Sequence, residues 1–486
     1  MKIMKHQWLK GYYHELILLI VIIALIVIKL PHLYLPYYGD EGFAFGPAVH
    51  LMYQNGPTIL PGGLEPDYSY GHPLLFHFLV ASWMKIFGES ILVAKSFALL
   101  VSILLLIAIF FTGKTFFNKD AGLLAAILLF FQPIFLAQSS FVLLEAFLAL
   151  LGLLTILFFF QKKWLLYALT ASALVMTKES GLFLVFALCI WQLMDVFLEK
   201  ENHYSARKMI YSYLIILVPA MVFGLFLIQQ KLTWGWFLFP GRMNDMQMTY
   251  DIISRNLGHI RKIIFFIHGR NWLVIGLLVS LVGYYFIPGK RFTGHQWKLI
   301  WFITLFIGIF WFMSSLNFIS NRYFLIVITI LVLLIASITV QAFQVKKWLL
   351  YPVMIALVVS QSIFAFRHYS TGDDNLGFTD VAKVHREAIH FMEEHNMQDA
   401  SVYAHFLMLI NLQHPLAGYL SDGIVFTRIK GLYTDSVDYA VISNVELSRE
   451  LDSIRGLPHL ELMKRVEIGL AWTEIYRNTL KINSQE

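Results

Sequence analysis

The sequence is poor in charged residues and in cysteine. Of its 486 residues, 14% are charged and 58% are hydrophobic, whereas an ordinary soluble domain has about 25% charged and about 45–50% apolar residues. This composition excludes a water-soluble enzyme. The single cysteine, Cys189, lies inside an apolar run, which excludes a disulfide framework and a cysteine-rich metal site and argues against redox chemistry.

A dense basic stripe is also missing, although the net charge is +6. The Lys and Arg residues of the first region occur in twos and threes between long apolar runs, without the stripe that a nucleic-acid backbone requires. Residues 1–366 have a net charge of +12, and residues 367–486 have a net charge of −6. The charges therefore predict a membrane domain at 1–366, a domain of soluble composition at 367–486, and no nucleic-acid partner.

Long apolar runs predict about eleven membrane-spanning helices, because roughly 20 apolar residues are needed to cross a bilayer. The first run follows a basic start but is not followed by a small-residue cleavage site, so we interpret it as a membrane helix and not as a signal peptide. The predicted spans are 16–30, 91–111, 121–138, 140–160, 164–177, 180–198, 209–230, 271–288, 298–316, 322–342 and 348–366.

The basic residues of the short loops predict the orientation, because such loops stay in the cytoplasm. They fall in alternate loops, on the side of the N-terminus. The outer side then carries long loops at 32–90 and 231–270, short turns near 178 and 320, and the C-terminal region. We therefore expect a multi-pass protein of the plasma (inner) membrane, with a cytoplasmic N-terminus, interfacial helices in the first outer loop and an extracytoplasmic C-terminal domain.

The C-terminal region has the pattern of a small α/β domain. Apolar residues at helical spacing predict a helix at 379–395, and a charged helix is predicted at 446–455. Strands are predicted at 400–406, 437–442 and about 461–477. The region has no nucleophile elbow, phosphate loop or metal-ligand spacing, so we predict a structural or acceptor-contacting role for it.

Two carboxylates, Asp40 and Glu41, follow directly after the first membrane helix. A carboxylate at this height can act as a base toward a lipid-borne substrate, and Asp40 also suits the N-cap of a helix at 41–54. Further along the loop, His72 precedes Pro73 and an amphipathic stretch at 73–87, which fits a helix in the plane of the interface. Taken alone, His72 is a turn residue, and the histidines of this loop lack a metal-ligand spacing.

Other charged residues lie at predicted outer helix ends. Glu145 interrupts an apolar run, where an ionisable side chain is costly unless it faces a cavity or a partner. Lys178, followed by Glu179, lies in a short outer turn against the charge bias. A lysine that snorkels to the interface is the alternative interpretation of Lys178.

Arginines add to this outer set. Arg322, followed by Tyr323, begins a late span on the outer side. Arg242 and Arg270 belong to the second outer loop, where contact with lipid headgroups is the alternative interpretation. Carboxylates and cations at the ends of several helices are what transfer from a lipid phosphate needs, because the acceptor hydroxyl requires a base and the leaving phosphate requires cations.

These residues resemble those of the GT-C membrane glycosyltransferases, in particular the dolichyl-phosphate-mannose protein mannosyltransferase and lipid A aminoarabinose transferase branch. The resemblance covers most of residues 1–345. It comprises an Asp-Glu pair after the first helix, a His-Pro-Leu element at 72–74, an acidic residue at the fourth helix, a Thr-Lys turn at 177–178 and an Arg-Tyr pair at 322–323. Two departures are Glu145, which is often Asp in relatives, and His72, where many relatives have Lys.

The resemblance implies an α-helical integral membrane enzyme that transfers a sugar from a polyprenyl-phosphate donor to a lipid, glycan or protein acceptor. It implies that Asp40 is the catalytic base, that Glu41 supports Asp40, and that Lys178 and Arg322 hold the donor phosphate. Glu145 would line the acceptor side or orient a basic group. No cofactor is implied with certainty, and a divalent metal stays open, because some relatives bind one and others need none.

Two other classes compete with the enzyme. A polytopic transporter or lipid flippase would have as many spans, but such proteins usually show repeated halves and broken helices with polar groups near the midplane, and neither is evident. A sensor or structural membrane protein would not explain why the exceptional charges fall on one side. The sequence therefore favours the glycosyltransferase.

Overall fold

The computed structural model describes residues 2–198, 206–243, 249–289, 291–445 and 449–482. The described part up to residue 366 is helical, and the C-terminal region contains a five-stranded sheet. The helices of the first region are α1 (Lys2–Lys29), α2 (Gly46–Asn55), α3 (Pro66–Ser69), α4 (Leu75–Phe87), α5 (Ile91–Phe116), α6 (Lys119–Phe130), α7 (Pro133–Gln138), α8 (Glu145–Phe160), α9 (Trp164–Val175), α10 (Leu182–Leu198), α11 (Ala206–Trp234), α12 (Pro240–Met243), α13 (Tyr250–Phe265), α14 (Arg270–Phe286), α15 (Gly294–Ser314), α16 (Leu325–Phe343) and α17 (Lys347–Ala365).

The predicted multi-pass architecture is confirmed, with fewer full-length spans than the apolar runs indicate. Within the described ranges, seven helical segments are long and apolar enough to cross a membrane: Tyr12–Tyr34, Ile91–Phe116, Ile210–Trp234, Ile267–Phe286, Gly294–Ser314, Asn321–Phe343 and Lys347–Ala365. The other runs form shorter helices, and the run at 121–138 is divided into α6 and α7 before Pro133. Proline has no backbone N–H, so it begins a new helix and does not continue α6.

Helix α16 forms the centre of the bundle. In the most apolar 18-residue stretch of its span, 94% of the residues are buried inside the protein, and the helix packs against α6, α8, α14, α15 and α17. A helix that is apolar all round is expected in such a central position. Because other helices surround it, the residues at its N-terminal end have a fixed place relative to all of them.

The first long loop contains short helices, as predicted, but they pack on protein. Helix α4 begins at Leu75, so Pro73 lies before the helix and not in its first turn. Its buried face contains Phe76, His77 and Val80 and packs against α2 and α5. The amphipathic pattern therefore reflects the packing of α4 on α2 and α5.

The C-terminal region is an α/β domain, as predicted. Its sheet has the order β2-β1-β3-β5-β4, in which β1 pairs in parallel with β2 and β3, and β5 pairs antiparallel with β3 and β4. The elements are α18 (Phe378–Glu394), β1 (Ser401–Ala404), α19 (Phe406–Gln413), β2 (Arg428–Lys430), β3 (Tyr439–Ser443), α20 (Arg449–Arg455), β4 (Leu460–Ile468), β5 (Ala471–Asn478) and α21 (Thr479–Ile482).

Several details of this domain differ from the prediction. The stretch at 461–477 is a hairpin, β4 and β5, which reverses at Gly469 with a φ of 57°; this left-handed conformation suits glycine. Helix α19 and the short edge strand β2 were not predicted. Residues 446–448 of the predicted charged helix lie outside the described residues.

The C-terminal domain packs directly on the first long loop. The backbone N–H of Tyr37 donates to the carbonyl of Ala417 at 2.9 Å, and the Phe378 ring lies 4.5 Å from the Phe141 ring and 5.9 Å from the Tyr38 ring. The domain and this loop therefore occupy the same end of the helical bundle, which we call the outer end because the basic short loops predict that it faces outward.

Helices α5 and α6 approach each other closely at Gly122, which yields a test of the fold. A Cβ atom at Gly122 would lie 2.2 Å from the carbonyl oxygen of Phe110, so Gly122→Ala must push the helices apart. Such overpacking costs about 1–3 kcal/mol. We expect a lower thermal unfolding midpoint for the detergent-solubilised variant.

The matched control is Gly224→Ala in α11, where an added Cβ meets nothing within 4 Å. This variant should unfold at the wild-type temperature or slightly above, because alanine favours helix. Equal midpoints for the two variants would contradict the close packing of α5 on α6.

Candidate active site

A cavity of about 450 Å³ lies at the outer end of the bundle. Aromatic residues form much of its wall, among them Phe45, Phe183 and Phe310. The cavity is also lined by seven of the residues that the sequence singles out, namely Asp40, His72, Glu145, Lys178, Glu179, Arg322 and Tyr323. These residues come from the first long loop, from α8, from the turn before α10 and from the start of the central span.

Arg322 is the centre of the ion-pair network in this cavity. It lies in the turn that precedes α16, and only 7% of it is exposed. Its two terminal nitrogens pair with Asp40 and with Asp373, and its Nε lies 3.6 Å from Oε1 of Glu145. Three carboxylates from three distant segments therefore share one guanidinium.

Lys178 is the second cation of the cavity, and it points inward. Its Nζ lies 3.0 Å from Oε1 of Glu145 and 3.7 Å from the centre of the Tyr323 ring, where a cation–π interaction adds to the ion pair. Glu145 is 4% exposed, so its burial is compensated by Lys178 and Arg322 together. The contacts thus favour the cavity interpretation of Lys178 over the snorkelling one.

Asp40 is presented to the cavity by an unusual turn. Residues Glu41–Phe45 form a π-helical turn, a rare geometry that occurs frequently at functional sites. The turn requires glycine at position 46, because a Cβ there would lie 2.3 Å from the Tyr37 ring. Asp40 occupies the N-cap position of this turn, but its side chain makes no capping hydrogen bond. Its side chain pairs with Arg322 and remains 35% exposed.

Glu41 points in the opposite direction and does not line the cavity. Its side chain is fully buried, where it accepts hydrogen bonds from the backbone N–H of Val142 at 2.7 Å and of Tyr38 at 3.1 Å. It also lies 3.5 Å from Nζ of Lys95. Burial raises the pKa of the Glu41 carboxyl, while Lys95 and the two N–H groups oppose the rise. Glu41 thus holds the loop in place, and its assignment as a catalytic residue is not supported by its position.

His72 and Glu179 form a pair on another wall of the cavity. Nδ1 of His72 lies 2.6 Å from Oε2 of Glu179. His72 is almost completely buried, whereas the Glu179 side chain is 35% exposed. The pair joins the first long loop to the turn before α10 and leaves a carboxylate accessible from the cavity.

The arginines of the second long loop do not add to the described site. Arg270 is buried at the start of α14, where its Nε donates to the carbonyl of Ile263 at 2.7 Å. It does not line the cavity, so its interpretation as a substrate-binding residue is not supported by its position. The side chain of Arg242 lies outside the described residues, although its neighbour Gly241 lines the cavity.

Sequence reasoning missed Asp373, which pairs with Arg322 from the C-terminal side. Asp373 and Asp374 follow the last apolar run, just as Asp40 and Glu41 follow the first. This parallel was the available signal. It was overlooked because the acidic pair lies in the region of soluble composition, where charged residues are ordinary.

The residues do not fit a divalent metal. Among the residues that the structure describes, no group of three or more His, Cys, Asp or Glu side chains is arranged to hold one. The carboxylates of Asp40, Glu145 and Asp373 converge on the cationic side chain of Arg322. Among the side chains that the structure describes, Arg322 and Lys178 are the Lys and Arg residues that line the cavity.

The chain matches a known family over part of its length. The model of the dolichyl-phosphate-mannose-protein mannosyltransferase family matches residues 71–228, a segment that contains His72, Glu145 and Lys178. No curated protein sequence matches the chain. The match confirms the resemblance to the membrane glycosyltransferases for this segment.

Solved structures with the same fold extend the similarity to most of the chain. ArnT from Cupriavidus metallidurans, in the apo state, has a TM-score of 0.56 at 12% identity, over 93% of this chain and 97% of that chain. The same enzyme bound to undecaprenyl phosphate also scores 0.56 at 12% identity, over 95% of this chain and 97% of that chain. The Archaeoglobus fulgidus oligosaccharyltransferase has a TM-score of 0.53 at 12% identity, over 90% of this chain and 70% of that chain. The protein therefore has the GT-C fold.

The buried contacts of Glu41 predict a large effect on stability. Glu41→Ala removes the partner of Lys95, which is 1% exposed, and leaves two backbone N–H groups without their acceptor. Loss of one member of a buried ion pair costs about 3–5 kcal/mol. We expect a strongly lowered thermal unfolding midpoint, whereas Glu65→Ala, at an exposed position of the same loop, should leave the midpoint unchanged. A Glu41→Ala variant as stable as the wild type would show that the loop is held in another way.

Proposed function

We propose that the protein is a membrane glycosyltransferase that moves a sugar from a polyprenyl-phosphate donor to a lipid, glycan or protein acceptor. The observation that carries the proposal is one cavity in which an accessible carboxylate, Asp40, lies beside two cations, Arg322 and Lys178. A base and cations for a leaving phosphate are the groups that this transfer needs. The cavity lies at the end of apolar helices, at the height where a lipid-borne phosphate would be held.

In this proposal Asp40 is the catalytic base. Its carboxylate takes the proton of the acceptor hydroxyl, whose oxygen then attacks the anomeric carbon as the bond to the donor phosphate breaks. A single displacement of this kind inverts the configuration at the anomeric carbon. Asp40 is suited to this role because its side chain is 35% exposed, whereas Glu145 is 4% exposed and its Oε1 is paired with Lys178 and Arg322.

Lys178 and Arg322 would bind the donor phosphate and stabilise the charge that develops on it. Charge-assisted hydrogen bonds from lysine and arginine to phosphate are among the stronger polar interactions in proteins. Glu145 keeps both cations in place, and the Tyr323 ring faces Lys178. His72 and Glu179, on the other wall, are available to the sugar or the acceptor.

Two further observations support a polyprenyl-phosphate donor and an outward-facing site. The ArnT structure of the same fold was determined with undecaprenyl phosphate bound. The predicted position of the basic short loops on the side of the N-terminus supports an extracytoplasmic location of the cavity and the C-terminal domain.

Replacement of Asp40 tests the base. Asp40→Asn keeps the size of the side chain but cannot take the proton, and loss of a general base lowers turnover about 10²–10⁴-fold. Purified protein would be mixed with polyprenyl-phosphate sugars and a membrane extract as the source of acceptor, and the release of polyprenyl phosphate would be followed.

The matched control is Asp67→Asn, an exposed position in the same loop, which should turn over like the wild type. Full turnover by Asp40→Asn with normal donor binding would show that Asp40 is not the base. A transporter or flippase would consume no donor in the wild type either, so the same assay separates the two classes of function.

Replacement of Lys178 tests the phosphate site. Lys178→Ala removes one cation while Arg322 still compensates Glu145, so the protein should fold. Loss of a hydrogen bond to a charged group costs about 1.5–3 kcal/mol, and we expect donor affinity to fall roughly tenfold or more. Lys85→Ala, at an exposed position of the first long loop, is the control. Equal donor affinities for the two variants would show that Lys178 does not bind the donor phosphate.

A further inference from the structure

The connector at 366–377 joins α17 to α18 and contacts Arg322 through Asp373. The Tyr38 hydroxyl donates to the carbonyl of Thr371, and Nε2 of Gln138 donates to the carbonyl of Asp373 at 2.8 Å. Nδ2 of Asn321 donates to Oδ2 of Asp374 at 2.6 Å. The backbone around Asp373 is therefore fastened to the first long loop, to α7 and to the start of the central span.

Because the backbone around Asp373 is fixed, the Asp373 carboxylate holds Arg322 in a defined position. It pairs with one terminal nitrogen of the guanidinium, while Asp40 pairs with the other. The guanidinium is planar, so two carboxylates at two of its nitrogens define its orientation. Asp373 does not line the cavity itself, so it can act on a substrate only through Arg322.

The two carboxylates are not equivalent during the proposed reaction. If Asp40 takes the proton of the acceptor, it loses its negative charge and its ion pair with Arg322 weakens at that moment. The phosphate then gains charge and most needs the cation in place. Asp373 faces Arg322 from outside the cavity, so its ion pair persists through this step.

We propose that Asp373 is a positioning residue for sugar transfer, which keeps Arg322 oriented toward the donor phosphate while Asp40 is protonated. The proposal rests on the function proposed above and deepens it, because it makes the connector to the C-terminal domain part of the catalytic machinery. It predicts that loss of Asp373 impairs turnover more than donor binding, since the Arg322 charge itself remains.

The experiment compares Asp373→Asn with Asp373→Glu in the full chain. In Asp373→Asn, kcat should fall by about tenfold to hundredfold, as expected when a catalytic group is displaced by about 1 Å, while the KM for the donor stays within about threefold. Asp373→Glu restores the carboxylate and should regain a large part of kcat. Asp422→Asn, at an exposed position of the C-terminal domain, is the matched control and should behave like the wild type.

Two results would overturn the proposal. The first is a folded Asp373→Asn variant with wild-type kcat. The second is a rise in the donor KM without a fall in kcat, because Asp373 would then serve donor binding alone. If Asp373 only anchored the C-terminal domain, Asp373→Asn would lower the thermal unfolding midpoint and leave kcat of the folded fraction unchanged, which is the first of these results.

A double-mutant cycle in the unfolding midpoints separates this proposal from the function on which it rests. Arg322→Gln and Asp373→Asn should each lower the midpoint, and the double variant should unfold no lower than the worse single variant, because the two residues stabilise through each other. If the wild type transfers no sugar, the proposed function has failed. The cycle still tests whether Asp373 holds Arg322, and additive shifts in the midpoints would overturn that positioning role.

Discussion

One guanidinium joins the parts of this protein. Arg322 lies at the outer end of a helix that is surrounded by other helices, and it pairs with carboxylates from the first long loop, from α8 and from the connector to the C-terminal domain. Without its charge, Asp40 and Asp373 would lose their cationic partner and Glu145 would keep only Lys178, and a buried uncompensated charge is strongly unfavourable. The shape of the cavity therefore depends on the residue that we propose to bind the donor phosphate.

The neighbouring acids Asp40 and Glu41 show how one turn separates the carboxylate that we propose as the base from a buried structural one. Their side chains leave the π-helical turn on opposite sides. Glu41 is fully buried and bonded to Val142 and Lys95, and this contact fixes the loop to the turn that precedes Glu145. Asp40 keeps a third of its side chain exposed. A base must be both held and accessible, and here the two requirements are met by adjacent residues.

The sequence was sufficient for the fold class because membrane helices and soluble domains differ so strongly in composition. It also indicated the charged residues of the cavity, since charges such as Glu145, Lys178 and Arg322 stand out against apolar runs. Composition could not reveal which way a side chain points. Glu41 and Arg270 are buried by contacts with segments far along the chain or at a helix end, and neither contact follows from local pattern. The hairpin at Gly469 was merged into one strand because two residues are enough to reverse a chain.

Asp373 was missed for a different reason, which bears on how the chain is divided. Composition separates a membrane domain of net charge +12 from a tail of net charge −6, and this division suggests that chemistry belongs to the first part alone. The ion pair between Arg322 and Asp373 crosses that boundary, and so does the hydrogen bond between Tyr37 and Ala417. An acid of the second part thus stabilises a cation of the first, at the place where the substrates are proposed to meet. The boundary that composition predicts between the domains is therefore crossed by the ion-pair network of the candidate site.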